Sequence, residues 1–169
     1  MNLKALKYSF LLFLTVLISG CGFYSFTGAS IQGKSFLIHN LENTSSNILP
    51  SLSATLTSKI RNRILTQTGL TPVQNQGDYE LSGIITQYNV SVSGLGDANT
   101  AQASQNRLTI AIQVDFKSRL NEKSNFKQTF SKFADFPANE QLSNVENKLI
   151  EKIGNELADE IFNKAFVNW

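Results

Sequence analysis

Few residues in this sequence are of a type that performs covalent or acid–base chemistry, and the most reactive of them stands in an ordered setting. Cys21 is the only cysteine, and it follows Ile18-Ser19-Gly20. A branched aliphatic, two small residues and a cysteine is the pattern of a lipobox, in which the thiol becomes a diacylglyceryl thioether and the cysteine an acylated N-terminus. A lone cysteine also has no intramolecular disulfide partner. The sole histidine, His39, has no second histidine or cysteine nearby, so neither a metal site nor a nucleophile–base pair is expected there. Gly94-Leu95-Gly96 lacks the third glycine and the following helix of a phosphate cradle. Glu146, Glu151, Glu156 and Glu160 are scattered among Lys148, Lys152 and Lys164, which reads as a solvated helix face rather than paired catalytic carboxylates. The chemistry expected is therefore lipidation at Cys21, with no catalytic residue, no metal and no cofactor. Such a chain binds or assembles.

The segment that would position Cys21 reads as an export signal. Lys4 and Lys7 form a basic start without acids, and Phe10 to Ile18 is an apolar run interrupted only by Thr15. That layout is a signal peptide over residues 1–20. The run is too short to cross a bilayer, which takes roughly 20 residues. Without it, basic and acidic residues balance at 13 acids and as many bases. A neutral domain of interspersed signs has no electrostatic footprint for nucleic acid. No later stretch has transmembrane length, so the chain is expected to sit on a membrane by its lipid rather than in it. Residues 21–33 read as a lipidated tether. Its Phe23, Tyr24, Phe26 and Ile31 are costly to leave in water, at roughly 1.5–3 kcal/mol for each large side chain. They are expected to lie against the membrane face or a partner.

Residues 34–169 are expected to form one α+β domain with the order β-α-β-β-β-α: two helices packed on one face of a four-stranded, mostly antiparallel sheet. Ser35 to Asn40 is a short strand candidate. Leu49, Leu52, Leu56, Ile60 and Ile64 recur at helical spacing, with Ser46 or Asn47 to cap, Pro50 in the first turn and Gly69 beyond the end. Tyr79 to Val92 reads as a long strand, followed by a Ser93–Ser104 loop. Leu108, Ile110, Ile112, Val114 and Phe116 alternate with polar residues, the pattern of a strand with one core face. A polar hairpin leads to a strand over Phe126–Phe136. Ser143-Asn144-Val145-Glu146 has the form of a capping box, opening a helix to about Ala165.

Two of these strands change phase. Tyr79, Leu81 and Ile85 share one side of a regular strand, while Ile84, Tyr88, Val90 and Val92 take the other, which calls for a bulge or for a strand apolar on both sides in turn. In the last strand Phe126 and Phe130 oppose Phe133. Apolar residues on the face that should be wet suggest a surface that meets protein, with Tyr88, Val90 and Phe133 as contact candidates beside Phe23, Tyr24 and Phe26 of the tether.

The element order resembles that of the lipopolysaccharide-assembly lipoprotein family, LptE. The more specific parts are Cys21 to Gly28 after the lipobox and Phe130-Ser131-Lys132-Phe133-Ala134-Asp135-Phe136-Pro137 before the last helix. The resemblance implies an outer-membrane, lipid-anchored, periplasm-facing protein. Its partner would be a large outer-membrane β-barrel, LptD-like, which it plugs and helps assemble in support of lipopolysaccharide insertion into the outer leaflet. The resemblance also implies contact with lipopolysaccharide through basic residues in loops at one end of the sheet. The Ser93–Ser104 loop has no Lys or Arg, so those residues do not carry over. Lys117, Arg119, Lys123, Lys127 and Lys132 are candidates for phosphate contact by charge alone. From another class, a periplasm-facing adaptor lipoprotein for a cell-wall synthase or transport complex fits the same residues.

Overall fold

The computed structural model describes residues 31–47, 49–95 and 103–167, with backbone alone at 94–95 and 103–104. Cys21 with its lipobox, and Phe23, Tyr24 and Phe26 of the tether, lie outside the described residues. The alternation over residues 108–116 produces the central strand β5 (Ala103–Ser118), in which Leu108, Ile110, Ile112, Val114 and Phe116 are wholly buried. β5 pairs antiparallel with β4 (Tyr79–Leu95) on one side and β6 (Phe126–Pro137) on the other. β1 (Ser35–Ile38) lies parallel to β4, as does β2 (Glu42–Asn43) further along the same edge. β3 (Thr71–Pro72) lies parallel to β1, giving the order β3-β1-β4-β5-β6. The α+β class and the two-helix, one-face arrangement hold. The four expected strands are joined by two further two-residue strands, too short to leave an alternation in the sequence.

Helix α1 (Pro50–Gln67) buries Leu52, Leu56, Ile60 and Ile64, and α2 (Leu142–Phe162) buries Leu149, Ile150, Ile153, Leu157 and Ile161. Both stripes enter one core with the inner face of the sheet. A π-helical turn, Asn163–Val167, then delivers Phe166 into an aromatic cluster. Its ring meets Tyr79 and Phe116 edge-on at 5.2 and 5.5 Å, while Tyr79 and Phe126 stack on Phe116 at 5.9 and 5.3 Å. Such pairs contribute about 0.5–1.5 kcal/mol each beyond area burial. The helices approach closely at Gly154, where an added Cβ would lie 3.1 Å from Leu56 Cδ2. Lys59 crosses the gap to Asn155 at 2.8 Å, and Arg63 pairs with Asp159 at 2.8 Å.

Neither expected cap forms. Leu49 occupies the N-cap of α1 without a side-chain bond, and the Asn47 amide instead donates to the Tyr88 carbonyl at 3.4 Å. α2 starts one residue before Ser143, with Gln141 at its N-cap. Glu146, the acid of the presumed box, accepts the Tyr88 hydroxyl. Pro50, by contrast, opens its helix as expected, since its ring fixes φ where no amide partner is needed.

The sharpest departure concerns the direction of Tyr88. A bulge between Ile85 and Gln87 shifts the register of β4, so that Ile85 faces Ile112 and Tyr88 faces Ile110. Both partners lie on the helix side, and Tyr88 is 5% exposed. The phase change read from the sequence is real and takes the form of a bulge: the extra residue brings Tyr88, Val90 and Val92 to the face of Leu81 and Ile85, while Ile84, ahead of it and opposite Gln113, stays outward. β6 runs without any shift, so Phe126, Phe130, Ala134 and Phe136 share the core face and Phe133 alone looks outward. Gly83 belongs to this inner face: a Cβ there would stand 2.9 Å from Leu41 Cδ2 and 2.8 Å from the Gln113 carbonyl, so glycine is what lets Leu41 seal the sheet.

Candidate functional site

Of the four exposed large apolar side chains among the described residues, Val90, Val92 and Phe133 lie towards the open end of the β4–β5 ribbon, and Leu120 lies in the β5–β6 connection. Val90 lies opposite Leu108, and Val92 opposite Asn106, which in turn faces Phe136. Leu108 and Phe136 are buried, yet Val90 and Val92 on the same face are 41% and 64% exposed. On the other face Phe133 is 49% exposed. Arg107 lies over its ring at 3.6 Å and donates Nε and Nη2 to the two Asp135 oxygens at 2.7 and 2.9 Å. The Arg107 hydrogen bond holds the Asp135 carboxyl below the usual carboxylate range, and Asp135 in turn raises Arg107. This clamp fixes Phe133 as a half-covered platform. It is invisible in the sequence, because Arg107 and Asp135 meet only through the β5–β6 register.

The rest of the outer face is mostly polar. Ser82, Gln113, Thr129 and Ser131 share it with a partly buried Ile84 and a buried Ala111, so of the apolar residues expected to face outward Ile84 and Phe133 do, and Val90 and Val92 are exposed on the other face. Tyr88 is withdrawn from the outward-facing set, since burial and its bond to Glu146 turn it inward. Desolvation, followed by that bond, pushes the Tyr88 hydroxyl above its ordinary value. Val90 and Phe133 stay exposed, on opposite faces. Ile31 packs against the chain's own core, although the sequence suggested a membrane or partner for it. The Gly33 N–H donates to the Tyr79 hydroxyl at 3.3 Å, and the Lys34 and Ser35 N–H groups donate to Asp78 at 2.8 and 3.0 Å. The Lys34 bond is the first cause of an Asp78 carboxyl held below its usual range.

The basic candidates divide. Lys117 stands opposite Glu80 and Lys127 opposite Asp115, both on the outer face towards the β5–β6 connection. Arg119 precedes and Lys123 belongs to the short helical turn Glu122–Ser124 in that connection. Lys132 is not among them: it points to the helix side and pairs with Glu160 at 2.8 Å. The Ser93–Ser104 loop of the sequence reading is shorter than expected, because the strands run to Leu95 and resume at Ala103. Among the described residues no group of histidines, cysteines and carboxylates is placed to hold a metal. No helix among them is long and apolar enough to cross a membrane.

Comparison with solved structures supports the fold. A hypothetical protein from Chlamydia trachomatis superposes with a TM-score of 0.53 at 8% identity, covering 80% of this chain and 99% of that one. The rare lipoprotein B from Shewanella oneidensis gives 0.50 at 16% identity, covering 76% and 92%. A lipoprotein B from Nitrosomonas europaea gives 0.50 at 12%, covering 76% and 79%. At these identities the likeness is one of fold. No curated protein matches the sequence significantly. The family model for lipopolysaccharide assembly, LptE, matches residues 34–165, the whole of the two-helix, sheet-backed domain. The chain thus belongs to the LptE lipopolysaccharide-assembly family, which is a non-enzymatic one.

Proposed function

We propose that this protein is a lipid-anchored, periplasm-facing component of the outer membrane that plugs an LptD-like β-barrel, aids its assembly and supports lipopolysaccharide insertion into the outer leaflet. The observation that carries this reading is the family match over residues 34–165. The surface is compatible with it. The projecting β4–β5 ribbon offers Val90 and Val92, and the outer face offers Phe133, to a surrounding protein wall. Phe23, Tyr24 and Phe26 add to that contact from the tether, and Cys21 carries the lipid. Lys117, Arg119, Lys123 and Lys127 are the residues proposed to meet phosphate groups of lipopolysaccharide; Lys132, already paired with Glu160, is the weakest member of that set.

Extraction of native membranes in mild detergent tests the reading. A stoichiometric β-barrel partner is expected to co-purify, and recovery of a monodisperse monomer alone would overturn it. In the same cells Cys21→Ala is expected to release the chain into the soluble periplasmic fraction; continued membrane residence would show that lipid is not the tether.

A further inference from the structure

The edge of the sheet beside β1 is incomplete in a way that specifies what would complete it. β3 covers β1 only over Ser35 and Phe36, and its last bond runs from the Val73 N–H to the Phe36 carbonyl at 3.0 Å. Beyond that point nothing pairs with β1 on this side among the described residues. The His39 N–H turns inward to the Leu81 carbonyl of β4 at 2.9 Å. Backbone groups alternate sides along a strand, so those of Ile38, the last residue of β1, turn outward to the open edge, before the Leu41 N–H leaves the sheet for Thr57 Oγ1 of α1 at 3.0 Å. A groove of about 600 Å³ runs along this edge, with Val73 and Gln74 at one end and Arg61 of α1 forming its other wall. The volume lies within the range of about 300–1,000 Å³ typical of ligand sites.

Arg61 gives the groove its sign. Arg63 and Arg107 each have a carboxylate partner, whereas Arg61 has no ion pair among the described residues and is only partly exposed. α1 carries no acid at all that could turn to it. A guanidinium beside the free backbone donor and acceptor of Ile38 matches an extended chain with a carboxylate at one position. We propose that this groove is a docking site for an extended polypeptide segment of a partner protein. The segment would extend the sheet edge in line with β3, bonding to Ile38, and place an Asp or Glu side chain against Arg61. The charge of Arg61 selects an acidic segment over the uncharged tether of the chain itself, residues 22–30. The proposal stands apart from the barrel reading, since the groove lies at the opposite edge of the sheet from β6 and away from the projecting valines.

Panning a displayed library of random heptapeptides on the full chain tests it. Selected peptides are expected to share an acid at one fixed position flanked by β-formers. A synthetic peptide from that pool should slow hydrogen exchange at the Ile38 amide. Arg61→Gln should weaken its binding by at least about ten-fold, and Arg61→Glu should shift selection to Lys or Arg at that position. Arg61 makes no ion pair, so both variants are expected to fold, which circular dichroism verifies. Three outcomes would overturn the proposal: selection without a fixed acid, binding indifferent to residue 61, or an Ile38 amide already protected without peptide, which would mean that the chain closes its own groove.

Discussion

At the scale of single residues, two polar contacts tie distant parts of the chain, and each predicts a pH dependence of definite sign. Asp78 accepts from the amides at the start of β1, and its carboxyl is held below the ordinary range. A group whose pKa is depressed by folding adds stability above its unfolded pKa, and that contribution disappears as pH falls through the folded value. Asp78→Asn is therefore expected to flatten part of the loss of stability below about pH 4, read by denaturant titration across the acid limb. Tyr88 works in the other direction. Its raised pKa means that its contribution is complete below about pH 10 and fades as the solution becomes more alkaline. Tyr88→Phe removes the bond to Glu146 at little cost in volume, and is expected to destabilise by about 1–2 kcal/mol at neutral pH. In a spectrophotometric titration compared with that of Tyr88→Phe, the ionisation assigned to Tyr88 should fall above the ordinary tyrosine value of about 10; ionisation at the ordinary value would refute the assignment.

The elements show how far local pattern reaches. β5 and the buried stripes of both helices were legible because one periodicity fits one face over their whole length. Tyr88 was misdirected because alternation was continued through a position where the ladder carries an extra residue. The phase change of the apolar residues calls for a bulge or a two-faced strand without choosing between them, and only pairing with Ile112 and Ala111 places the extra residue at Ile85-Thr86-Gln87. The caps failed for a related reason: Glu146 and Asn47 had partners on β4 that outcompeted the local ones. Arg107, Asp135 and Phe133 went unread as a unit, since each sits on a strand whose register the sequence does not state. The helix pair offers a test of its own. At Gly154 an alanine would press mainly on the Lys59 Cδ at 2.7 Å, far along a flexible side chain, with Leu56 Cδ2 at 3.1 Å. Better helix propensity, by up to about 1 kcal/mol, should offset that crowding. Gly154→Ala is thus expected to leave stability within about 1 kcal/mol of the parent. Gly154→Leu should lose about 1–3 kcal/mol by forcing the helices apart, measured by equilibrium unfolding.

For the whole molecule the decisive property is which surface is free. Photocrosslinkers at Val90, Val92 and Phe133 are expected to capture one and the same β-barrel partner in cells, whereas one at Tyr88 should capture nothing, being 5% exposed. Equal capture from Tyr88 would contradict the inward turn of that side chain. Phe133→Ala should abolish capture from neighbouring positions while costing no more than about 1 kcal/mol of stability, since the ring is half exposed and held chiefly by Arg107.

The parallel pairing of β1 with β4 has a consequence for how the chain comes to be folded. Phe36 must find Tyr79, but β4, β5 and β6 are successive neighbours that zip through short connections. Ribosomes and export channels release the N-terminus first, so the earliest strand emerges into an environment that does not yet contain its mate. Non-local closure is slower than hairpin formation. Pulse labelling during refolding should accordingly find β5 amides shielded before those of β1. The N-terminal strand would be the last to dock and the stretch most in need of a chaperone's hold.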